Sequence, residues 1–520
     1  MIGFKDRAAT FLAKENAPFH LMCVIFLVIA VSCLGRYFLY LGGVASFPFD
    51  WMPSDGDHLN FAHRIMQGLH VYPDLNAGEV LSIYNPLYYM IIGLFGGADV
   101  GMLFARSASL LFWLACPLLV TIYYSKRWGW LYAVLAAIFI LLPAEPYMLL
   151  DIVSVTPDSS MAFFFVCTML AAETVLKKEE AFKWELLLVG GLAALCFLSK
   201  QQGVIAIVSV VAFAIVSRKS IKSVSLLTAG FLAPFLLSVV YFEIVNSGQF
   251  LQDTLFALDK VMVVTPGLAG DRFLDFLMHH LAFTLCVVAA FILVAARLTK
   301  LSIWHVTFIL HILLLLKTLG NGGGGPNYFV TFWVTTVVIS ISAIVIFDRR
   351  ATKLHLFHRM TRIKWDVPLL SRVLLVCLFI NVAIGTIGTH TQINSITSPS
   401  ENLEVIMQEY YDATGLLVAG TPNARVLTNR NIGALVVNRV NVTNEGSTMF
   451  QYAWAHPEFF DQNIILDAIA QKKYDFIFTG LQPYPANVMR RIEEAYKVAM
   501  INEQVVYMGN IGLVKVYVPK

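Results

Sequence analysis

Two carboxylates in the first polar stretch of the chain, Asp55 and Asp57, are the side chains best placed to do chemistry. They come directly after the first long apolar segment. Charged acids at a membrane face are costly and usually serve a function. A carboxylate there holds a divalent cation or takes a proton from a hydroxyl group. A plainer role is also open, since one of the two aspartates can cap the helix that follows.

The composition indicates that most of the chain is dissolved in lipid. Of its 520 residues, 58% are hydrophobic and only 14% are charged, and the mean hydropathy is +0.69. A soluble globular chain carries about 25% charged residues. All seven cysteines lie in apolar runs and none in the polar tail, so they are predicted to be small buried residues rather than disulfides or zinc ligands. The chain is therefore predicted to be a polytopic α-helical membrane protein, and nothing indicates a nucleic-acid partner.

Eleven apolar runs are long enough, or nearly so, to cross the ~30 Å hydrocarbon core of a bilayer. These runs are residues 19–41, 102–124, 128–144, 157–176, 184–199, 201–217, 223–246, 275–296, 303–319, 327–347 and 371–390. A further run, 84–97, is too short to span. It begins with Asn85-Pro86 and ends at Gly96-Gly97, which predicts a helix in the membrane interface.

The basic residues orient these spans. With the N-terminus in the cytoplasm, the inside segments hold 20 Lys and Arg residues, and the outside loops before residue 390 hold four. The positive-inside rule favours this orientation. It predicts a membrane domain over 1–390, with a first outer loop at 42–101, and a tail over 391–520 on the outer face. Alternating strand-like and helix-like runs predict that the tail is a small α/β domain.

This topology gathers polar residues on the outer face. A cation, amides and separate acids there predict a polar cavity, in which Lys200 suits a lipid phosphate and Asp55 or Asp57 an acid or base. Structural roles remain open, because Asp158 can cap a helix and Lys200 can extend to the interface. The residues concerned are Asp55, Asp57, Asp158, Lys200, Gln201, Gln202, Asn327 and Tyr328.

The motifs resemble those of a known family. The string from Asp55 to Ala62, with Gly68, Tyr72-Pro73-Asp74 and the run Tyr84–Tyr89, resembles the first outer loop of the GT-C glycosyltransferases. The closest branch is that of the bacterial relatives of protein O-mannosyltransferases and lipid A aminoarabinose transferases. Leu198-Ser199-Lys200-Gln201 and Asn327-Tyr328 also match strings of that family. The resemblance covers about residues 20–345, and the tail has no specific match.

The resemblance implies a function and a set of site residues. The chain is expected to move a sugar, with inversion, from a polyprenyl-phosphate donor to a hydroxyl of a glycan, lipid or protein acceptor, at the outer face of a bacterial inner membrane. Asp55 best matches the position of the catalytic base, and Asp57 is the rival. A divalent cation held by Asp55, Asp57 and Asp158 is left open as a cofactor. The implied contacts to the donor phosphate and lipid are Lys200, Gln201, Gln202, Asp158, Tyr84, Tyr88, Asn327, Tyr328 and Lys260.

Two other classes of function remain open. Intramembrane charges and glycine-broken helices also suit a transporter or flippase. Against transport, the chain has no repeat relating two halves, and its acids concentrate in outer loops. An inactive binding or scaffold subunit is the third interpretation, and the presence of Asp55, Asp158 and Lys200 argues against it.

Overall fold

The computed structural model describes most of the chain. The described residues are 17–50, 53–72, 84–97, 100–143, 148, 152–256, 265–320, 325–350, 371–385, 401–421, 424–428, 433–438, 440, 442, 444–445, 454, 461–480, 484–507 and 510–520. Lys260 and residues 321–324, which are Asn321 and three glycines, lie outside them.

Every predicted apolar run is helical within the described residues. The helices are α1 (Ala17–Ser46), α2 (Pro53–Met66), α3 (Leu87–Gly96), α4 (Met102–Trp128), α5 (Trp130–Leu141), α6 (Asp158–Val175), α7 (Lys183–Ser199), α8 (Val204–Val216), α9 (Ile221–Val245), α10 (Pro266–His279), α11 (Leu281–Ala295), α12 (Ile303–Thr318), α13 (Val330–Arg350) and α14 (Ser371–Gly385). Among the described residues, five helices are long and apolar enough to cross a membrane, or six if the bent pair α10–α11 forms one span. Shorter apolar helices, including α3, α5 and α12, account for other predicted runs. The chain is a multi-pass membrane protein.

One predicted span is divided in the structure. The apolar pattern predicts a single helix over 275–296, but the chain bends by 92° between α10 and α11. The break lies at His280, which leaves the helical conformation at φ −114° and ψ 34°. Asp275 and His279 lie in the last part of α10 with half or more of their side-chain surface exposed. Such polar groups are unfavourable in the lipid interior, which explains why α10 does not continue in line with the apolar helix α11.

The ends of the membrane helices opposite Asp158 are fixed by a buried acid. Glu173, near the end of α6, accepts hydrogen bonds from Tyr124 (2.5 Å), Trp304 (3.0 Å) and Arg127 (2.9 Å). Arg349 at the end of α13 donates to the carbonyl oxygen of Arg127 at 2.6 Å. The end of α4, the start of α12 and the end of α13 therefore meet at one side, as alternating spans require.

The described part of the C-terminal region, residues 401–520, contains a small sheet and is called the C-terminal domain below. It begins with α15 (Glu401–Val418), and its other elements are β1 (Val426–Thr428), α16 (Gly433–Val437), β2 (Asn444–Glu445), α17 (Gln462–Ala470), β3 (Phe476–Thr479), α18 (Ala486–Ala495), β4 (Tyr496–Tyr507) and β5 (Asn510–Pro519). The strand order is β2-β1-β3-β5-β4. The first three strands are parallel, and β5 pairs antiparallel with both β3 and β4. Strands β1 and β3 are buried along their length, as expected for parallel strands covered by helices.

The cysteines agree in part with their predicted role. Cys116, Cys196 and Cys286 are buried, Cys33 and Cys167 are half-buried, and Cys377 is exposed on α14. None of these six described cysteines is in a disulfide.

Candidate active site

A buried ion pair forms the centre of the site. Asp158 lies in the first turn of α6, and Lys200 directly follows α7. The Lys200 Nζ atom lies 2.7 Å from Asp158 Oδ1, and the two side chains are only 3% and 2% exposed. Removing two charges from water is costly, and the cost is recovered only where geometry is good and further polar contacts exist. The pair therefore requires support from its surroundings.

Two tyrosines and an amide supply that support. The Lys200 ammonium lies 5.6 Å from the ring centre of Tyr84 and 5.1 Å from that of Tyr328. Cations within about 6 Å of an aromatic ring centre are attracted by its electrons. Asn327 directs its amide toward Asp158 Oδ2, with a donor–acceptor distance of 3.5 Å. The structure thus brings together five residues that the sequence predicted to meet on one face.

The position of Lys200 follows from a tight turn. Lys200 is extended (φ −155°, ψ 143°) between α7 and the 3₁₀ turn Gln201–Gly203. The carbonyl oxygen of Lys200 accepts a hydrogen bond from the Gly203 amide at 2.8 Å. A Cβ atom at Gly203 would lie 2.2 Å from the carbonyl oxygen of Cys196, so a residue with a side chain does not fit there. The absence of a side chain at Gly203 lets the chain fold back over the end of α7 and present Lys200 inward.

The two glutamines beside Lys200 are both half-buried. Gln201 donates to the carbonyl oxygen of Thr254 at 3.2 Å, which ties the turn to the segment after α9. The Oε1 atom of Gln202 is buried and finds no hydrogen-bond partner in the described residues. Gln202 therefore retains an acceptor that a ligand hydroxyl can satisfy.

Asp55 has a strong partner that the sequence did not indicate. It lies in the first turn of α2 and is fully buried. Its Oδ2 atom lies 2.5 Å from Arg106 Nη2, and its Oδ1 atom accepts a hydrogen bond from the Val155 amide at 2.7 Å. Arg106 also donates to the carbonyl oxygens of Phe47 (2.5 Å) and Phe49 (2.7 Å). Arg106 therefore fixes both the carboxylate and the chain entering α2.

His58 links α2 to the ion pair and was not assigned a role from sequence. Its ring centre lies 5.3 Å from that of Tyr84, and its Nδ1 atom lies 2.8 Å from the Tyr89 hydroxyl. The pKa of His58 is lowered to about 3, mainly by burial and also by the Lys200 charge, while the Asp55 charge opposes the shift. His58 is therefore neutral, and the charges of both Asp55 and Lys200 act on it.

Four other residues were predicted from sequence to belong to the site: Asp57, Tyr88, Tyr84 and Lys260. Asp57 lies on α2 and is 8% exposed. Tyr88 is fully buried, and its hydroxyl bonds with Ser109 Oγ at 2.7 Å. Tyr84 is held in place by the Tyr72 hydroxyl, which donates to its carbonyl oxygen at 2.6 Å. Lys260 lies outside the described residues, so the structure says nothing of it.

The three aspartates do not form a shared metal site. Asp55 and Asp158 each bind a different cation, Arg106 and Lys200. Among the described residues, no group of three or more His, Cys, Asp or Glu side chains is arranged to hold a metal ion. The residues present do not fit a divalent cation held jointly by Asp55, Asp57 and Asp158.

Comparison with known proteins agrees with this architecture. Residues 86–242, which include Arg106, Asp158 and Lys200, match the family model of the dolichyl-phosphate-mannose-protein mannosyltransferases. No curated protein matches the chain significantly by sequence. The fold is similar to that of ArnT from Cupriavidus metallidurans bound to undecaprenyl phosphate, with a TM-score of 0.54 and 12% identity over 95% of this chain and 97% of that one.

A second solved structure shares the fold. The archaeal oligosaccharyltransferase AglB from Archaeoglobus fulgidus, in complex with an inhibitory peptide and a dolichol-phosphate, aligns with a TM-score of 0.51 and 12% identity. The alignment covers 97% of this chain and 74% of that one. The family match over residues 86–242 indicates a glycosyltransferase and favours this class over the transporter and scaffold interpretations. The shared architecture shows that the chain has the GT-C fold, and residues 86–242 are similar to the mannosyltransferase family.

Proposed function

We propose that this enzyme transfers a sugar from a polyprenyl-phosphate donor to an acceptor hydroxyl, with inversion, at the outer face of a bacterial inner membrane. The observation that carries the proposal is the buried Lys200–Asp158 pair between Tyr84 and Tyr328. It offers a cation for a phosphate at the ends of the membrane helices. The proposal agrees with the undecaprenyl phosphate and dolichol-phosphate bound by ArnT and AglB.

An apolar groove beside the ion pair suits the donor lipid. Its volume is about 230 Å³. Its lining includes Pro86, Leu87, Met90, Leu198, Tyr241 and Phe242. Leu198 lies two residues before Lys200, and Pro86 two residues after Tyr84, so the two segments that carry Lys200 and Tyr84 also line the groove. Met90 and Tyr241 are 38% and 56% exposed, which leaves the groove open to the lipid side. The first isoprene units fit here while the phosphate meets Lys200.

Lys200 stabilises the leaving phosphate in this scheme. An ammonium group has three N–H donors, and Asp158 is the hydrogen-bond acceptor that Lys200 contacts among the described residues. The other two donors can bind phosphate oxygens without breaking the ion pair. As the bond between the anomeric carbon and the phosphate oxygen breaks, its electrons remain on the phosphate. A fixed cation in a water-poor site stabilises that charge more than the same cation in water.

Asp55 is proposed as the base. Its charge acts on His58, whose ring centre lies 5.3 Å from that of Tyr84 beside Lys200, so the field of Asp55 reaches the edge of the site. Arg106 orients it by a direct ion pair. Asp55 takes the proton as the acceptor oxygen attacks the anomeric carbon, a step typically worth ~10²–10⁴-fold in rate. Because Asp55 is fully buried, side chains around it must move before the acceptor reaches it, while α2 keeps its place.

The orientation in the membrane follows from charge. The side proposed as cytoplasmic carries Arg127, Lys177, Lys178 and Arg349 at helix ends. The ion pair lies at the other ends of the same helices. By the positive-inside rule, the N-terminus is cytoplasmic, and the site and the C-terminal domain face outward.

Donor binding tests the proposal before any acceptor is known. The purified enzyme is heated in detergent with undecaprenyl phosphate or with undecaprenol, which lacks the phosphate. The proposal predicts a thermal shift with the phosphate that Lys200→Met removes, and little shift with the alcohol. Equal shifts with both lipids, or an undiminished shift in Lys200→Met, would show that Lys200 does not bind the donor phosphate.

A further inference from the structure

A polar contact joins the C-terminal domain to the helix that carries the acids. Asp50 lies between α1 and α2 and is 6% exposed. Its backbone amide donates to the Tyr411 hydroxyl at 3.0 Å, and its Oδ2 atom accepts a hydrogen bond from the Gly433 amide at 2.9 Å. The Phe49 and Tyr411 rings also pack together, with centroids 4.7 Å apart. Both α15 and α16 therefore contact the chain immediately before α2.

The contact is too close to admit any side chain. A Cβ atom on Gly433 would lie 2.3 Å from both carboxyl oxygens of Asp50. A Cβ atom on Gly56 would lie 2.4 Å from the Gly433 backbone nitrogen. Gly56 is the residue between Asp55 and Asp57, so α16 lies directly against the acid-bearing turn of α2.

Further contacts extend the docking along α2. Asn60 Nδ2 and Arg64 Nη1 both donate to the carbonyl oxygen of Val442, at 3.2 and 3.3 Å. Arg106 of α4 holds the same helix through Asp55. The acid-bearing helix is thus fixed between the membrane domain and the C-terminal domain.

We propose that the Asp50–Gly433 contact is a positioning latch, through which the C-terminal domain holds α2 so that its first-loop acid meets the acceptor hydroxyl. This inference rests on the proposed function, because one of its tests measures the rate of sugar transfer. Asp50 and Gly433 do not touch substrate in this scheme and act through α2.

Docking is favoured when Asp50 carries a proton, although the Gly433 hydrogen bond itself favours the charged carboxylate. The pKa of Asp50 is raised to about 8, mainly by burial and also by the charges of Asp55 and Asp57, whereas Arg106 and the Gly433 hydrogen bond oppose the shift. Tyr410 and Tyr411 face Asp50 from α15, where burial and the Asp50 charge raise their pKa values, so both remain neutral. Undocking exposes Asp50 to water while Asp55, Asp57 and Arg106 stay beside it, so its pKa falls toward the ordinary value. Docking raises the pKa of Asp50, and docking therefore weakens as the pH rises toward about 8.

The test compares matched glycine variants of the full-length protein. Gly433→Ala inserts a methyl group into the latch. Gly420→Ala inserts one at a glycine of the same domain that has no atom near its Cβ position. Hydrogen exchange of α2 and the rate of sugar transfer are measured for both, and undecaprenyl-phosphate binding serves as a check of the membrane site. We expect Gly433→Ala to lose α2 protection and at least tenfold in transfer rate while lipid binding persists, and Gly420→Ala to match wild type.

Asp50→Asn provides a second, isosteric test. Asparagine can still accept from Gly433 but never ionises, so the variant should lose less transfer activity than wild type between pH 6 and pH 9. Unchanged α2 protection in Gly433→Ala, or the same alkaline loss in Asp50→Asn as in wild type, overturns the latch. If α2 loses protection but wild type transfers no sugar, the latch stands and the proposed function fails.

Discussion

Replacing Lys200 by methionine separates a structural role from a catalytic one. The change removes the cation and leaves the Asp158 side chain buried, at 2% exposure, without its ion-pair partner. Breaking a buried pair by removing one partner costs about 3–5 kcal/mol. We therefore expect Lys200→Met to unfold in detergent well below wild type and to lose about 10²–10³-fold in kcat, as for the loss of one transition-state donor.

The double variant Lys200→Met/Asp158→Asn makes the distinction. It removes both charges, and a neutral replacement of a buried pair is often no less stable than the pair itself. Asparagine can still bond with Asn327, which lies 3.5 Å from Asp158 Oδ2 in the native site. Most of the lost stability should return, because no unpaired charge remains in the interior.

Activity should not return with stability. The phosphate still lacks its cation, so transfer by the double variant should stay as low as in Lys200→Met. The assay pairs thermal unfolding in detergent with transfer of labelled sugar from a polyprenyl-phosphate donor. A double variant that recovers both stability and transfer would refute the assignment of Lys200 to the donor phosphate.

Two further predictions concern the groove and His58. Met90→Trp fills the groove of about 230 Å³ and should raise the KM for the polyprenyl donor at least tenfold. The control is Val288→Trp, in a separate apolar groove of about 440 Å³, which should leave this KM unchanged. Equal effects of the two substitutions would show that the donor lipid does not bind in the first groove. The pKa of His58 in the folded protein is about 3, below the ordinary value of 6.5. Between pH 6.5 and pH 3 the imidazole of the unfolded chain therefore binds a proton and that of the folded protein does not. The free energy of unfolding consequently decreases as the pH falls through this range. His58→Gln should therefore lose less thermal stability than wild type between pH 7 and pH 5, and an identical loss would contradict the buried, neutral histidine.

The residues that sequence reasoning found share one property. Asp158, Lys200, Asn327 and Tyr328 all lie at the ends of long apolar runs. Because spans alternate in direction, the positions of the runs decide which ends share a membrane face. The pairing of Lys200 with Asp158 at 2.7 Å was not predicted and is set by tertiary packing. A 3.6-residue apolar period and the membrane thickness are enough to predict such a cluster.

The residues that were missed depend on contacts distant in sequence. Arg106 lies inside the apolar run 102–124, and Asp50 lies in a short loop without a motif. Their partners, Asp55 and Gly433, are 51 and 383 residues away. Arg106 had a usable signal, since a lone arginine in an apolar run requires a partner. Asp50 had none, because the docking of the C-terminal domain on α2 is set by tertiary packing.

Transfer by the purified enzyme tests the central claim most directly. Wild type, Asp55→Asn and Asp57→Asn are incubated with a panel of radiolabelled polyprenyl-phosphate sugars and with membrane extract as acceptor. The account predicts transfer from at least one donor by wild type and Asp57→Asn, and none by a folded Asp55→Asn. Full transfer by Asp55→Asn together with loss in Asp57→Asn would move the base to Asp57. Absence of transfer by wild type with every donor, despite undecaprenyl-phosphate binding, would contradict the proposed reaction.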